Sequence, residues 1–295
     1  MGGTIRSMVD PTAAPAPRIS VVIPTRHRLE SLGSCLERLA PGQQTLDATH
    51  YEVIVADDGH TDDTRTMLQV RFPWAHYTAG PRRGPAANRN AGVRASRGEW
   101  LAFTDDDTLP DRDWLEQLLA ASDGVSAVEG RTVCRVGVRS PREHAPVNEL
   151  GGRWWTSNLA IRRDAFDSVG GFDERYPVPH MEDADLRVRV FAAKLPWRFA
   201  PLAIVDHPPR RERWGAETAP WHAAHMLFSA IHQQPHTLLG NLRAVVRGRL
   251  HAIARAPFSA DGASAAVSMV VELATMLRYW RQWRREVRAT LATPR

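Results

Sequence analysis

Short apolar runs and amphipathic stretches alternate along the first part of the chain. The apolar runs are rich in branched and aromatic residues and predict buried strands at residues 19–24, 51–56, 76–78 and 100–103. The stretches between them carry apolar residues at helical spacing and predict helices at residues 29–40, 62–70, 86–95 and 111–121. Because strands and helices alternate, we expect an α/β fold with a mostly parallel central sheet flanked by helices.

The pattern after residue 121 is less regular. Two short strands are predicted within residues 125–138 and a loop at 139–152. Further strands are predicted at residues 159–162, 197–200 and 203–205, with helices at 164–169 and 182–193. From about residue 220 onward the pattern is helical, so we expect a helical C-terminal extension.

Three carboxylates, Asp105, Asp106 and Asp107, follow directly after the predicted strand at 100–103. Adjacent acids repel one another unless a cation or a hydrogen-bond donor compensates their charge. At the carboxyl end of a parallel strand they would lie where open α/β sheets bind ligands. Carboxylate oxygens suit Mg²⁺ or Mn²⁺, which in turn suit phosphate oxygens. An acidic, solvated loop before the next helix is the alternative, and the three acids alone do not decide between the two.

Charge is distributed unevenly along the 295 residues. The net charge is +5, yet residues 243–295 hold ten arginines and three acids, a net charge of +7, which leaves −2 for the rest. The basic tail therefore gives little reason to expect nucleic-acid binding by the whole protein. Cys35 and Cys134 provide no disulfide framework, which indicates a reducing, cytoplasmic location.

Neither end of the sequence predicts a membrane-spanning segment. Residues 1–17 are rich in alanine and proline, and we expect them to form a disordered leader. In the tail, apolar residues from 267 to 277 are followed by the segment 278–285, which mixes tryptophan and tyrosine with arginine. This order is typical of a helix at the surface of an anionic membrane, at the inner face if the protein is cytoplasmic. A helix packed on the catalytic domain or on a second subunit is the alternative.

Four motifs occur in a fixed order along the chain. They are VIPT at 22–25, VADDG at 55–59, GPAANRNAG at 84–92 followed by FTDDD at 103–107, and MEDADL at 181–186. Over roughly residues 18–210 this ordered set resembles the family 2 glycosyltransferases, which have the GT-A fold. The resemblance implies a catalytic domain at 18–215 and a helical, arginine-rich extension at 216–295.

The resemblance also implies an activity. A family 2 glycosyltransferase moves a sugar from a nucleotide-diphosphate donor to an acceptor hydroxyl, and a UDP-sugar is the default donor. The implied cofactor is Mn²⁺ or Mg²⁺, and the implied mechanism is inverting with one carboxylate as general base. The acceptor could be a glycan, a lipid-linked glycan or a small molecule, and the sequence does not choose among them.

Donor and metal roles carry over residue by residue. The resemblance assigns the nucleotide to Pro24, Thr25, Arg26, Asp58, Arg89, Asp105 and Asp106, and the metal to Asp107 and His207. Within this set Asp58 would bind the base edge, Arg89 the diphosphate and Asp105 the ribose. His27 departs from the asparagine that many relatives have at that position. On residue type alone, Asp58 could instead form a turn and Arg89 could lie on the surface of a helix.

The acceptor side and the general base are assigned in the same way. The resemblance places Trp154, Trp155, Ser157 and Asn158 on the acceptor side. One member of the pair Glu182–Asp183 would be the general base, and we prefer Asp183. Two adjacent tryptophans could instead belong to the core, and Asp183 could instead pair with Arg187 four residues later.

Two other classes of protein compete with this assignment. A nucleotidyltransferase shares the parallel sheet and the acidic metal site, but it usually carries a glycine-rich phosphate loop with a lysine near the first strand. The segment PTRHR at 24–28 is not such a loop. A non-catalytic nucleic-acid-binding protein could use the arginine-rich tail, but the charge of −2 elsewhere argues against it.

Overall fold

An eight-stranded sheet forms the centre of this computed structural model, which describes residues 16–292. Residues 1–15 of the predicted leader at 1–17 lie outside the described residues. The strands are β1 (Ile19–Thr25), β2 (Tyr51–Asp57), β3 (His76–Ala79), β4 (Trp100–Phe103), β5 (Leu109–Pro110), β6 (Ala127–Val133), β7 (Glu143–His144), β8 (Leu159–Arg162), β9 (Trp197–Asp206) and β10 (Arg210–Arg211). The order in the sheet is β3-β2-β1-β4-β8-β6-β9-β5, and β7 pairs separately with β10.

Helices alternate with the strands in the first part of the chain and follow one another in the last part. They are α1 (Leu29–Leu39), α2 (Asp63–Arg71), α3 (Pro85–Ala95), α4 (Trp114–Ala120), α5 (Arg163–Ser168), α6 (Glu182–Ala192), α7 (Ala219–Ile231), α8 (Leu238–Arg255) and α9 (Ala260–Ala292). The predicted α/β class, with a helical C-terminal region, is confirmed.

Strand direction brings several strand ends to one edge of the sheet. Strands β1 to β4 are mutually parallel where they pair. Strand β8 is antiparallel to both β4 and β6, and β9 is parallel to β6. Strand β9 therefore runs in the same direction as β1, and the carboxyl ends of β1, β2, β4 and β9 lie along the same edge. The mostly parallel sheet expected from the alternating pattern is confirmed.

Side chains of the central strands are buried on both faces of the sheet. On β1, Val21 and Ile23 belong to a core that includes Leu36 of α1 and Leu118 of α4. Val22 points to the opposite face and packs in the core that contains residues of α3 and α6. Burial on both faces explains why these strands are continuous apolar runs rather than alternating ones.

Two segments are more regular than the sequence predicts. The region 125–138 contains one strand, β6, instead of two short ones. The predicted strands at 197–200 and 203–205 are one strand, β9, whose register with β6 shifts between Gly130 and Arg131. Proline and exposed residues in the middle of β9 hide this continuity from a pattern based on hydrophobicity, because the irregular pairing leaves those side chains outside the core.

The long C-terminal helix α9 packs against α7 and α8. Its Met276 and Trp283 are buried in a core shared with Tyr176, which lies between α5 and α6. Trp283 stacks on His222 with ring centroids 6.1 Å apart, and the half-buried Trp280 stacks on His236 at 5.4 Å. The tryptophans that the sequence pattern predicts at a membrane surface are therefore directed toward the protein.

One described helix, α9, is long and apolar enough to cross a membrane when judged by length and composition alone. Only 33% of its most apolar window is buried inside the protein. A core helix of a soluble protein can pass the same test, so this property carries little weight by itself.

Candidate active site

A cleft of about 830 Å³ lies at the carboxyl edge of the sheet. It brings together most of the predicted site residues, which are Pro24, Thr25, Arg26, Asp58, Arg89, Asp105, Asp106, Asp107, Trp155, Ser157, Glu182 and Asp183. These residues come from the ends of β1, β2 and β4, from α3, from the loop before β8 and from the start of α6. The predicted residues that do not line the cleft are Trp154, Asn158 and His207.

Asp105, Asp107 and His207 form a group that could hold a metal ion. One ligand atom from each of these residues lies within 4.8 Å of the others. His207 reaches this place because β5 pairs with β9, with Leu109 opposite Asp206. Asp105, which the family resemblance assigns to the ribose, thus lies with the metal group.

The atoms of this group are suited to a divalent ion. His207 is completely buried, and its Nδ1 lies 2.9 Å from the carbonyl oxygen of Pro208, which fits a proton on Nδ1 and a free lone pair on Nε2. That Nε2 lies 3.5 Å from Asp107 Oδ1, and neither atom has a hydrogen-bond partner among the described residues. Buried polar atoms without partners are rare, so two of them facing one another fit a cation site.

Arg28 is a cleft residue that the sequence analysis did not select. Its guanidinium donates to Asp106 Oδ1 at 2.7 Å and to Asp107 Oδ2 at 2.6 Å. Arg210 also lies 3.7 Å from Asp107 Oδ2. Burial would raise the pKa of Asp107, but the nearby positive charges of Arg28 and Arg210 hold it below its ordinary value. Asp107 therefore keeps its negative charge, with one oxygen toward the arginines and the other toward His207.

The carboxylate of Asp106 is used within the protein. Thr25 Oγ1 donates to its Oδ2 at 2.7 Å, and Arg28 occupies its Oδ1. Burial raises the pKa of Asp106 to about 7, which Arg28 partly offsets. Both oxygens of Asp106 are thus bonded to side chains that build the cleft, and its predicted nucleotide contact stays a prediction.

Arg89 connects the acidic strand end to the start of α6. It is buried, and it donates to Asp105 Oδ1 at 2.7 Å and to Glu182 Oε1 at 3.0 Å. A surface arginine on a helix is thereby excluded, yet the guanidinium faces carboxylates rather than an open phosphate site. Such bridging fixes the two acidic segments relative to one another.

Asp58 holds the loop that leads into α3. Its two carboxylate oxygens accept the backbone N–H groups of Arg82 at 2.8 Å and Gly84 at 2.9 Å. Gly84 has φ +97, and a Cβ there would lie 2.2 Å from the carbonyl oxygen of Pro177. Only glycine fits this close approach. His27 lies with its ring 5.8 Å from that of His60 and does not line the cleft.

The pair Glu182–Asp183 begins α6, where backbone N–H groups favour negative charge. Asp183 Oδ1 accepts the N–H of Ala184 at 2.7 Å, and Asp183 lines the cleft. Burial raises the pKa of Asp183 above its ordinary value, as it does that of Glu182. Arg187 donates to the carbonyl oxygen of Gly152 at 2.9 Å. The helix salt bridge between Asp183 and Arg187 is therefore not formed among the described residues.

Two of the four residues predicted on the acceptor side belong to the core. Trp154 is 0% exposed and packs edge-on against Phe191 and Trp197. Asn158 accepts a hydrogen bond from Trp114 Nε1 and donates to the backbone of Arg131 and Ala203. The acceptor-side prediction is corrected for these two residues, because their partners hold them behind the cleft wall.

The other two acceptor-side residues do line the cleft. Trp155 is half-buried, whereas Ser157 is almost fully buried. The orientation of this segment depends on Glu129 of β6, whose buried carboxylate accepts the N–H groups of Gly152 and Trp154. Nothing in the sequence singles out Glu129, because an acid inside an apolar strand is identified only by its distant partners.

Part of the cleft wall comes from the C-terminal region. Trp221 of α7 lines the cleft and stacks on His180, with ring centroids 5.2 Å apart and planes 8° apart. Arg210 and Arg213 contribute from the segment that joins β9 to α7. Sequence analysis missed these residues because they lie at or beyond the end of the recognised motifs.

An acidic metal-type site at the carboxyl edge of a mostly parallel sheet, with a carboxylate pair in the same cleft, is typical of GT-A-type transferases. The sequence model named Glycosyl transferase family 2 matches residues 20–169, and the chain belongs to this family. The predicted class of enzyme, a glycosyltransferase, is thereby confirmed, and the nucleotidyltransferase and nucleic-acid-binding alternatives lose their support.

Curated relatives carry matching names. The chain is 32% identical over 225 residues to the Pre-mycofactocin glycosyltransferase of Mycobacterium tuberculosis, covering 68% of this chain and 45% of that protein. It is 34% identical over 179 residues to Glycosyltransferase AglE of Haloferax volcanii, covering 53% of this chain and 56% of that protein. The chain thus spans about half the length of these curated relatives.

Solved structures support the fold. The mannosyltransferase PcManGT from Pyrobaculum calidifontis, solved with GDP-Man and Mn²⁺, has a TM-score of 0.56 at 22% identity, covering 96% of this chain and 87% of that chain. S. aureus TarS has a TM-score of 0.55 at 18% identity, covering 72% of this chain and 39% of that chain. At these identities the likeness concerns the fold alone.

Proposed function

We propose that the protein transfers a sugar from a nucleotide-diphosphate donor to an acceptor hydroxyl, with a divalent metal and inversion at the sugar carbon. The observation that carries this proposal is one cleft with two acidic walls. Asp105 and Asp107 line one part of the cleft with the buried His207 behind them, Glu182 and Asp183 line another part, and Arg89 joins the two groups. A UDP-sugar is our default donor.

Each wall has its own part in the proposed reaction. Asp105, Asp107 and His207 would hold Mn²⁺ or Mg²⁺, which supplies charge neutralisation at the leaving diphosphate. Asp183 would accept the proton of the acceptor hydroxyl while the acceptor oxygen bonds to the sugar carbon. The bond from that carbon to the diphosphate oxygen breaks, and its electron pair leaves with the nucleotide. One base suffices because attack and departure occur on opposite faces of the sugar.

Asp183 is a better candidate for the base than Glu182. Glu182 is bonded through Oε1 to the buried Arg89, which keeps it in a positioning role. Asp183 lines the cleft, and its carboxylate accepts only a backbone N–H among the hydrogen bonds of the described residues. A raised pKa brings a carboxylate closer to neutral pH, where it accepts protons more effectively.

Donor binding is the first test of this function. We expect a UDP-sugar to raise the melting temperature in the presence of Mn²⁺, because a ligand that binds only the native state stabilises it. Thermal shift with UDP-, GDP- and dTDP-sugars, each with Mn²⁺ or with EDTA, measures this effect. It also shows which nucleotide the donor site prefers. A chromatographic assay of sugar release from the best donor then tests turnover. If no nucleotide sugar shifts the melting temperature, the proposed function is wrong.

We also propose that the exposed face of α9 contacts an anionic membrane from the cytoplasmic side. Val267, Val270 and Leu277 are 65%, 64% and 60% exposed and lie on one face of the helix. Exposed arginines continue this face, at positions 278, 281, 284, 285 and 288. Apolar contact followed by positive charge favours an anionic lipid surface.

Vesicle binding distinguishes this contact from the alternatives. We expect the protein to sediment with phosphatidylglycerol vesicles more than with phosphatidylcholine vesicles. The double variant Val267→Ser, Val270→Ser should lose that binding, whereas Val70→Ser, an exposed valine on α2, should keep it. Unchanged sedimentation together with a lower oligomer mass in light scattering would assign the face to self-association instead.

A further inference from the structure

Two tryptophans and two arginines form a composite wall of the cleft. Trp155 and Trp221 both line it, and each ring has a guanidinium beside it. The Cζ atom of Arg153 lies 5.7 Å from the ring centre of Trp155, and that of Arg213 lies 5.2 Å from the ring centre of Trp221. Aromatic faces stack on the apolar C–H surface of sugar rings. His180 already covers one face of Trp221, so stacking on a glycosyl group falls mainly to Trp155.

Three arginines on this side of the cleft have no acidic partner. Arg153, Arg187 and Arg213 line the cleft, and no carboxylate within residues 16–292 lies within ion-pair distance of them. Arg28 and Arg89, in contrast, are each bonded to two acids. The charges on the metal wall are therefore balanced by protein, and those on the tryptophan side are not.

The fixed position of Arg187 makes its charge relevant to the reaction. It lies one helical turn after Asp183 on α6, and its contact with the Gly152 carbonyl holds it next to the segment that carries Arg153. A ligand group bonded there would be close to the hydroxyl that Asp183 deprotonates. Bidentate pairing with a carboxylate or a phosphate is the strongest use of a guanidinium.

The acids on the same side do not cancel these charges. Glu212 lines the cleft, and His144 Nδ1 lies 3.8 Å from its carboxylate. Burial raises the pKa of Glu212, although nearby arginines oppose it, and burial lowers the pKa of His144. Even fully ionised, Glu212 and Asp183 supply two negative charges against the three arginines. The tryptophan side therefore keeps an excess of positive charge. It adjoins the metal group, because Arg210 on the segment that carries Arg213 lies 3.7 Å from Asp107 Oδ2.

We propose that the acceptor is anionic and carries a phosphate or a carboxylate next to the sugar ring that the tryptophans hold. This inference rests on the proposed transferase function, which supplies the donor and the direction of attack. Arg153, Arg187 and Arg213 bind the anionic group, and the tryptophans, mainly Trp155, bind the ring. The three arginines thus act in acceptor specificity and take no part in donor binding.

Matched probes test the proposal. Binding of p-nitrophenyl β-glucoside, its 6-phosphate and p-nitrophenyl β-glucuronide is measured by calorimetry on the full chain with UDP and Mn²⁺ present. We expect at least one anionic probe to bind about tenfold or more tightly than the neutral one. Tenfold corresponds to about 1.4 kcal/mol, and a charge-assisted hydrogen bond contributes at least that much. Comparing the 6-phosphate with the glucuronide shows whether the site prefers a phosphate or a carboxylate.

Charge-removing variants assign the effect to the arginines. Arg187→Gln and Arg213→Gln should each lower the affinity of the anionic probe about tenfold and leave that of UDP unchanged. Arg187→Lys should restore part of it. Arg38→Gln, an exposed arginine on α1 outside the cleft, is the control and should change neither affinity.

The outcomes separate the two proposals. Equal binding of neutral and anionic probes, or no binding of any anionic probe, overturns the anionic acceptor even if UDP binds. A loss of UDP affinity in Arg187→Gln would instead place that arginine in the donor site and also overturns it. If no nucleotide binds the wild-type protein, the transferase proposal fails, and preferential binding of the anionic probes would still support the arginine site.

Discussion

Replacing Asp183 with asparagine is expected to lower turnover by about 10²–10⁴-fold, the usual contribution of general base catalysis. Asparagine keeps the shape of the side chain and can still accept the N–H of Ala184, but it cannot take a proton from the acceptor. Affinity for UDP and Mn²⁺ should hardly change, because Asp183 is not among the proposed metal ligands or donor contacts. Turnover is measured with saturating donor, and UDP affinity by calorimetry.

Glu182→Gln is the matched comparison for this prediction. It removes the neighbouring charge and weakens the ion pair with Arg89, so we expect a smaller loss of turnover together with lower thermal stability. Near wild-type turnover in Asp183→Asn, with a severe loss in Glu182→Gln, would show that the pair was assigned in the wrong order. Loss of UDP binding in Asp183→Asn would move that residue into the donor site.

The pH dependence of activity is an independent test of which residue is the general base. A general base works only when deprotonated, so activity falls as pH drops through its pKa. Burial raises the pKa of Asp183 above its ordinary value of 3.8, and the acidic limb of kcat/KM should therefore lie above that pH. In Asp183→Asn this limb should disappear from the residual activity. An unchanged limb would mean that another group titrates.

Local patterns in the sequence are sufficient for the elements that carry the donor side of the cleft. Strands β1, β2 and β4 are apolar runs that end in polar residues, and their parallel pairing follows from the helices between them. The sequence alone therefore places Asp58, Asp105 and Asp107 at one edge of the sheet. His207 comes from the family resemblance, and the β5–β9 pairing explains how it reaches Asp107.

Residues whose role depends on distant partners cannot be predicted in this way. Arg28 is separated from Asp106 by 78 positions, and nothing in its neighbourhood distinguishes it from other loop arginines. Trp154 and Trp155 are adjacent, yet the first enters the core and the second the cleft. The difference depends on the φ of +62 at Trp154 and on its bond to Glu129, and neither can be read from hydrophobicity.

The packing of the C-terminal region is equally hidden in the sequence. Its helices are predicted, but the inward direction of Trp280 and Trp283 depends on partners outside α9, such as His222 and His236. Periodicity alone does not tell which face of an amphipathic helix meets the protein when apolar residues occur on two faces. The contribution of Trp221 to the cleft likewise follows from how α7 packs beside His180.

Chelation of the metal is the second change for which we expect a large effect. EDTA should abolish sugar transfer, and added Mn²⁺ should restore it, because Asp107 Oδ1 and His207 Nε2 face one another without a hydrogen-bond partner among the described residues. Direct binding of Mn²⁺, followed by electron paramagnetic resonance, tests the site without relying on activity. Full activity in EDTA would contradict the metal role of this group.

Three neighbouring acids make the metal prediction sharper, because they have different partners. Asp107→Asn and His207→Ala each remove a proposed ligand and should weaken Mn²⁺ binding by about tenfold or more, at least the loss seen when supporting groups of metal sites are changed. Asp106→Asn makes the same chemical change one position away. Its oxygens are bonded to Thr25 and Arg28, so we expect Mn²⁺ affinity to change much less and thermal stability to fall. Equal losses of Mn²⁺ affinity in Asp106→Asn and Asp107→Asn would mean that the acids act through their summed charge rather than through the oxygen that faces His207.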